Sequence, residues 1–178
     1  MTGDWRNRGL GLALAASIYL VDQWIKGLVV GPWQLRRVGV IDLLPFFDLR
    51  WTQNFGISLG MFTATSPEMR WGLVALTGAI AIVVFVWLLR ERRPGDIAPL
   101  GLILGGALGN IHDRAMLGYV IDYADLHIGE FRPFLIFNVA DAAISIGVAI
   151  MLVRALFMRE KPPAAQGGPE ADQSAEIS

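Results

Sequence analysis

The chain has 178 residues, a fair length for one domain, yet 54% are hydrophobic, only 17% are charged and the mean hydropathy is +0.49, outside the soluble range. Fifteen basic and 16 acidic residues leave a formal net charge of -1, and no basic block extends beyond residues 90–93, so nucleic acid is excluded as a partner. The absence of cysteine removes disulfides, thiolate metal ligands and a cysteine nucleophile, while His112 and His127 alone make a poor zinc site; no metal and no other cofactor is expected.

In chain order, the first apolar run covers residues 9–30 and is interrupted by Asp22 and Lys26, four apart on one helical face. Hydrophobicity resumes after Asp22 without a polar break, which favours an uncleaved span over a signal peptide. The loop 31–68 is long for a connector. Within it, Phe47, Leu49 and Trp51 alternate with Asp48, Arg50 and Thr52, predicting a strand with one greasy face. Trp33, Phe46, Trp51, Phe55 and Phe62 suit the headgroup level, so the loop is expected to rest on the membrane. Residues 71–89 are nineteen uncharged positions between Arg70 and Arg90, close to the roughly 20 that cross hydrocarbon. A third span, 97–121, absorbs Asp113 and Arg114, and its Gly101, Gly105 and Gly109 form a small-residue stripe for close helix approach. The fourth, 133–153, carries Asp141, and the Pro/Gly/Ala-rich tail 161–178 is expected to be disordered.

The expected fold is therefore an all-α polytopic membrane protein. Four transmembrane helices and a small β-containing extracytoplasmic loop make one domain over residues 1–160. Four spans put both termini on one side. Arg6, Arg8, Arg90, Arg92, Arg93, Arg154, Arg159 and Lys161 collect there, against Arg36, Arg37, Arg50, Arg70 and Arg132 opposite, which makes the terminal side cytoplasmic.

An Asp at the centre of a membrane helix costs about 2.5 to 3.5 kcal/mol on insertion scales, so each needs a reason. Asp22 lies eight residues before the outer end of the first span, Asp113 eight before that of the third, and Asp141 eight after the outer start of the fourth. At 1.5 Å per residue each is roughly 12 Å from its end, which predicts one layer of acids with Asp122 at the rim above. Asn138, Asp141 and Ser145 share a face, and Asn110, Asp113 and Arg114 cluster on the third span. Pattern alone leaves Asp122 open between a solvated loop acid beside Asp125 and Glu130 and a working group. It leaves Asp113 with Arg114, and Asp22 with Lys26, open to structural ion pairing.

Two carboxylates held close in a partly dry pocket share a proton, which suits hydrolysis: the ionised one activates water while the protonated one polarises a carbonyl. A serine mechanism is less attractive, since neither Ser58 nor Ser145 has a recognisable histidine partner. A small proton-coupled carrier or channel subunit is the competing reading. A relay should cross the bilayer, whereas the inner halves of spans one, two and four hold almost no ionisable residues.

Five spaced motifs, Asp22-Gln23-Trp24-Ile25-Lys26, Asn54-Phe55-Gly56, Gly109-Asn110-Ile111-His112-Asp113-Arg114, Gly118-Tyr119-Val120-Ile121-Asp122-Tyr123 and Phe137-Asn138-Val139-Ala140-Asp141, together resemble the lipoprotein signal peptidase (signal peptidase II) family. The resemblance covers residues 10–157. It implies a metal-free aspartic endopeptidase of the bacterial inner membrane that removes signal peptides from prolipoproteins, cutting before a diacylglyceryl-modified cysteine. By motif position it makes Asp122 and Asp141 the catalytic pair, with Asp22, Asn54, Asn110, Asp113, Arg114 and Asn138 as supporting or substrate-binding groups. It also implies that the outer loop forms a small membrane-lying sheet that helps hold substrate. The expected partners are such prolipoproteins and membrane lipid, for a chain acting as a monomer. One departure is Ile57-Ser58-Leu59-Gly60, where the family more often has small residues followed by an aromatic.

Overall fold

The computed structural model describes residues 2–56 and 66–157, so Ile57, Ser58, Leu59, Gly60, Phe62, Arg159, Lys161 and the tail fall outside the described residues. Its elements in order are α1 (Thr2–Val30), α2 (Leu35–Val38), β1 (Val40–Leu44), β2 (Phe47–Asn54), α3 (Pro67–Arg90), α4 (Pro94–Met116), β3 (Val120–Leu126) and α5 (Val139–Phe157).

The helix starts follow from local chemistry. Ser66 accepts a hydrogen bond from the Met69 amide at 3.4 Å, Pro67 opens α3 where no amide hydrogen is needed, and Glu68 sits in its positively polarised first turn. At the other end of α4, Gly118 takes φ +88°, a conformation that costs glycine little, and its amide bonds the Arg114 carbonyl at 3.2 Å. The Arg70 guanidinium then covers the remaining carbonyls, donating to Arg114 O at 2.7 Å and to Ala115 O. The helix expected to run to residue 121 therefore stops at Met116, because a glycine and a cation supplied by α3 terminate it.

Glycines set the packing. A Cβ at Gly101 would stand 2.6 Å from the Gly11 carbonyl oxygen, and one at Gly105 would stand 2.5 Å from that of Ala15, so the stripe on α4 is where α1 makes backbone contact. On another face of α4, Gly106 meets the Ala140 carbonyl of α5, and Gly147 of α5 meets that of Pro99. These pairings run α1 parallel and α5 antiparallel to α4, and the contacts of Arg70 with the end of α4 run α3 antiparallel too. The ends at Val30, Pro67, Met116 and Val139 thus gather at one end of a four-helix bundle. Ala15, Ala81, Val84, Leu88, Leu100 and Leu104 fill its interior.

Leu20, Ile82, Val83, Ile146 and Leu152 point outward and are exposed, as expected of helices whose solvent is hydrocarbon. Among the described residues, three helices are long and apolar enough to cross a membrane: Trp5–Val30, Pro67–Arg90 and Val139–Phe157. α4 is not one of them by composition, since it carries Asp96, Asp113, Arg114 and several glycines.

A three-stranded antiparallel sheet, order β1-β2-β3, sits at the gathered end. Phe47 to Asn54 form the strand that the alternation predicts, and Phe47, Leu49 and Trp51 pack with Ile121, Tyr123, Ala124, Val29 and Leu35 in a second apolar cluster. The register Asn54↔Val120, Thr52↔Asp122, Leu49↔Ala124 leaves two residues of β2 opposite one of β3, a bulge at Arg50 and Trp51. Among its described residues, the outer loop supplies two strands. The third comes from the segment after α4, which was expected to be the top of a span followed by loop. The fourth helix begins six residues later than the expected 133, at Val139, with the stretch before it extended and tied to β3 by Phe137 and Ala124.

Candidate active site

β3 carries Asp122 into the gathered end of the bundle, and its pairing with β2 sets Asn54 nearby. Asn54 donates its amide nitrogen to one Asp122 oxygen at 3.0 Å, while Asn138 donates to the other at 2.7 Å. Asn54 also accepts the Gly56 amide at 3.1 Å, and the Gly56 carbonyl accepts the Arg114 guanidinium at 2.9 Å. The motif around Asn54 is thereby folded over both Asp122 and Arg114.

Asp141 lies in the first turn of α5 rather than deep within a span. Its amide donates to the Asn138 side-chain oxygen at 2.9 Å, and its carboxylate accepts the Asn138 amide at 3.3 Å, a reciprocal capping box. Asn110 of α4 donates to the other Asp141 oxygen at 2.7 Å. Asn138, which is 1% exposed, therefore touches both aspartates at once, and Asn110 accepts from it at 3.3 Å to close the ring.

The environment of Asp122 pushes its carboxyl up to about 7: burial is the main cause, the neighbouring negative charge of Asp141 adds to it, and the two asparagine hydrogen bonds and Lys26 oppose it. Asp125, three residues on, is held below the usual carboxylate range. Burial opposes its ionisation, but hydrogen bonds and charge from Arg132 and Arg50, at 3.1 and 2.9 Å, outweigh that.

Beneath the pair, Lys26 bridges Asp22 and Asp113, with 2.8 Å to each carboxylate. Asp113 thus pairs across to α1, while its neighbour Arg114 turns to Gly56 and lies within electrostatic reach of Asp141 and Asp122. Gln23 adds bonds of 3.2 Å to Asp22 and 3.0 Å to Asp113. Gly109 leaves room for this bridge, since a Cβ would stand 2.6 Å from the Asp22 carboxylate and would force it to shift.

All eight residues singled out from sequence, Asp22, Asn54, Asn110, Asp113, Arg114, Asp122, Asn138 and Asp141, come together in this network. Of the equal spacings from span ends that grouped the acids, that of Asp22 holds, eight residues before Val30, whereas the other two ends move and leave Asp113 in the last turn of α4 and Asp141 in the first of α5. They meet because helix ends converge, with polar groups where orphan amides and carbonyls need partners. Ser145, expected on the same face, is exposed. Gln23 was missed as a member, and Lys26, expected to pair with Asp22, also reaches Asp113. Their presence in the first motif beside Asp22 was the available signal, but only the α1–α4 contact shows the second carboxylate. Among the described residues, no group of three or more His, Cys, Asp and Glu is arranged to hold a metal ion.

The chain matches the signal peptidase II family over residues 14–157. A lipoprotein signal peptidase of Sphingopyxis alaskensis is 52% identical over 162 residues, covering 91% of this chain and 94% of that protein. One from Rhizorhabdus wittichii is 53% identical over 159 residues, covering 89% and 92%. A solved structure described as a bacterial membrane enzyme superposes with a TM-score of 0.71 at 25% identity, covering 84% of this chain and 94% of that one. A match of this length, joined to identity above one half along almost the whole of two relatives, makes the chain a member of the signal peptidase II family.

Proposed function

We propose that Asp122 and Asp141 are the catalytic pair of a prolipoprotein signal peptidase, cleaving the peptide bond before a diacylglyceryl-modified cysteine. The observation that carries this reading is the placement of two carboxylates from separate elements on one buried asparagine, with the Asp122 carboxyl pushed up to about 7. Such a pair holds a single proton near neutrality. The ionised carboxylate takes a proton from water as the oxygen adds to the scissile carbonyl, and the protonated one donates to the carbonyl oxygen. The tetrahedral species collapses as the carboxyl that took the water proton protonates the leaving amine and the other carboxylate takes back the hydroxyl proton, which returns the pair to its starting state. Arg114 offsets the negative charge of the two acids. Asn54, Asn110 and Asn138 orient them, and Asp22 and Asp113 support the backbone from below.

The reading includes four spans, α1, α3, α4 and α5. With 23 residues α4 reaches about 35 Å at 1.5 Å per residue, against a hydrocarbon core of about 30 Å. Its charges lie near its two ends, Asp96 paired with Arg154 at 2.5 Å and Asp113 with Lys26 at 2.8 Å. Both termini are then cytoplasmic in a bacterial inner membrane, and the sheet and acids lie near the outer face, where a lipid-anchored substrate arrives laterally and water enters. The chain acts as a monomer and takes diacylglyceryl-modified prolipoproteins as its substrates. A transmembrane proton relay gains no support from the apolar filling of the bundle interior below the acids.

Cleavage of a diacylglyceryl-modified prolipoprotein peptide by purified protein, in detergent with a chelator present, tests this. Wild type is expected to cut, and folded Asp122→Asn and Asp141→Asn proteins are expected to lose at least about 10³-fold in rate, since Asn keeps the shape but exchanges no proton. Turnover retained by either variant would remove the dyad.

A further inference from the structure

Lys26, which none of the roles above uses, sits at the junction of two anchors that end on the dyad. Its side chain is 3% exposed, and its ammonium lies 2.8 Å from both the Asp22 and the Asp113 carboxylate. The free Asp22 oxygen accepts the amide of Ala140 at 3.0 Å, and Asp113 accepts the amide of Ile121 at 3.1 Å. Ala140 immediately precedes Asp141, and Ile121 immediately precedes Asp122. Each catalytic aspartate therefore has the amide just before it held by one arm of a carboxylate, ammonium, carboxylate bridge.

β3 and α5 are separate elements joined by the irregular stretch 127–138; Asn138 and the Phe137–Ala124 pairing tie them at the level of the aspartates, and the Lys26 bridge ties them from below. Gln23, bonded to both carboxylates, and Gly109, leaving no room beyond Asp22, fix the bridge laterally. Resting on the dyad proposed above, we infer that Lys26 is a positioning residue: it clamps Asp22 to Asp113 and thereby sets the separation and register of Asp122 and Asp141. Lys26 touches no reacting atom. Besides the charge by which it opposes the rise of Asp122, it acts on geometry, to which proton transfer and water attack are steeply sensitive, a misplacement of 1 Å costing on the order of 100-fold in rate.

The test compares full-length wild type, Lys26→Met, Asp113→Asn and Asp122→Asn, with folded protein quantified by size exclusion and circular dichroism. kcat and KM are measured on the same diacylglyceryl-modified peptide. The clamp predicts that kcat per folded molecule of Lys26→Met falls on the order of 100-fold while KM stays within about threefold. It also predicts faster hydrogen exchange at the amides of Ile121 and Ala140. If Lys26→Met does not fold, Asp113→Asn decides. Asn still accepts the Ile121 amide but carries no charge for Lys26 to hold, and its kcat is expected to fall on the order of tenfold at unchanged KM. A folded Lys26→Met protein, or failing that Asp113→Asn, with wild-type kcat and only less folded material overturns the clamp and leaves a structural ion pair. An active Asp122→Asn protein would instead remove the dyad itself, whatever Lys26 does.

Discussion

Asp122 and Asp125 stand three residues apart on one strand and meet opposite electrostatic surroundings. Asp125 has two arginines and stays ionised, whereas Asp122 has a second aspartate and two neutral amides, so burial and repulsion raise it to about 7. For an acid raised in the folded state, the native chain binds more protons than the unfolded one between pH 3.8 and about 7. Its contribution to stability is complete below that window and is lost as pH climbs through it. The same titration sets activity. kcat/KM is expected to fall as pH rises past about 7, when the shared proton leaves. Asn54→Ala removes a hydrogen bond that favours the charged form, so its alkaline limb should move to higher pH, as a pH profile of kcat/KM would show. A limb that stays put or moves down would mean that Asn54 does not act on Asp122. Residue types in spaced motifs made these acids and amides legible in the sequence. The sign of each charge environment was not, because Asn54 on one hand, and Asn138 with Asp141 on the other, reach Asp122 from two other segments.

At the scale of elements, the glycine stripe on α4 was legible because spacing of four places Gly101, Gly105 and Gly109 on one face of any helix. Its partner was not. α1 lies against it so closely that a methyl group at Gly101 would press 2.6 Å from a backbone oxygen that cannot swing away. Gly101→Ala is expected to cost about 1 to 3 kcal/mol, measured by denaturant unfolding in detergent. Gly78 on α3 has open space beside it, so Gly78→Ala should be near neutral and serves as the control. The strand β2 could be read from its period of two. β3 escaped because its residues are buried almost throughout and follow an apolar helix, so hydrophobicity alone continues the helix through Gly118. That glycine was the stop signal, and the cap that completes it comes from Arg70, 44 positions before the Arg114 whose carbonyl it covers. The late start of α5 has a similar origin. Asn138 and Asp141 carry the capping-box spacing, but in an apolar run that spacing also reads as one polar helix face.

For the molecule as a whole, the absence of native cysteine makes orientation directly measurable. Leu44→Cys lies on the sheet and is half exposed, and Arg92→Cys lies between α3 and α4 at the opposite end of the bundle. In intact spheroplasts an impermeant maleimide is expected to label position 44 and to reach position 92 only after lysis. The reverse pattern would invert the topology, and labelling of both would contradict four spans. The sequence by itself determined the solvent, the approximate helices and the residues able to do chemistry, because hydropathy, helical period and side-chain type are local properties. It also carried family membership, since the ordered motifs survive without any coordinates. Only the tertiary structure decided that a segment after α4 completes the sheet, that Asp113 and Asp141 stand in terminal helix turns, and that Lys26 joins Asp22 to Asp113. Each of these depends on partners distant in sequence whose burial together must satisfy one another's charges and hydrogen bonds.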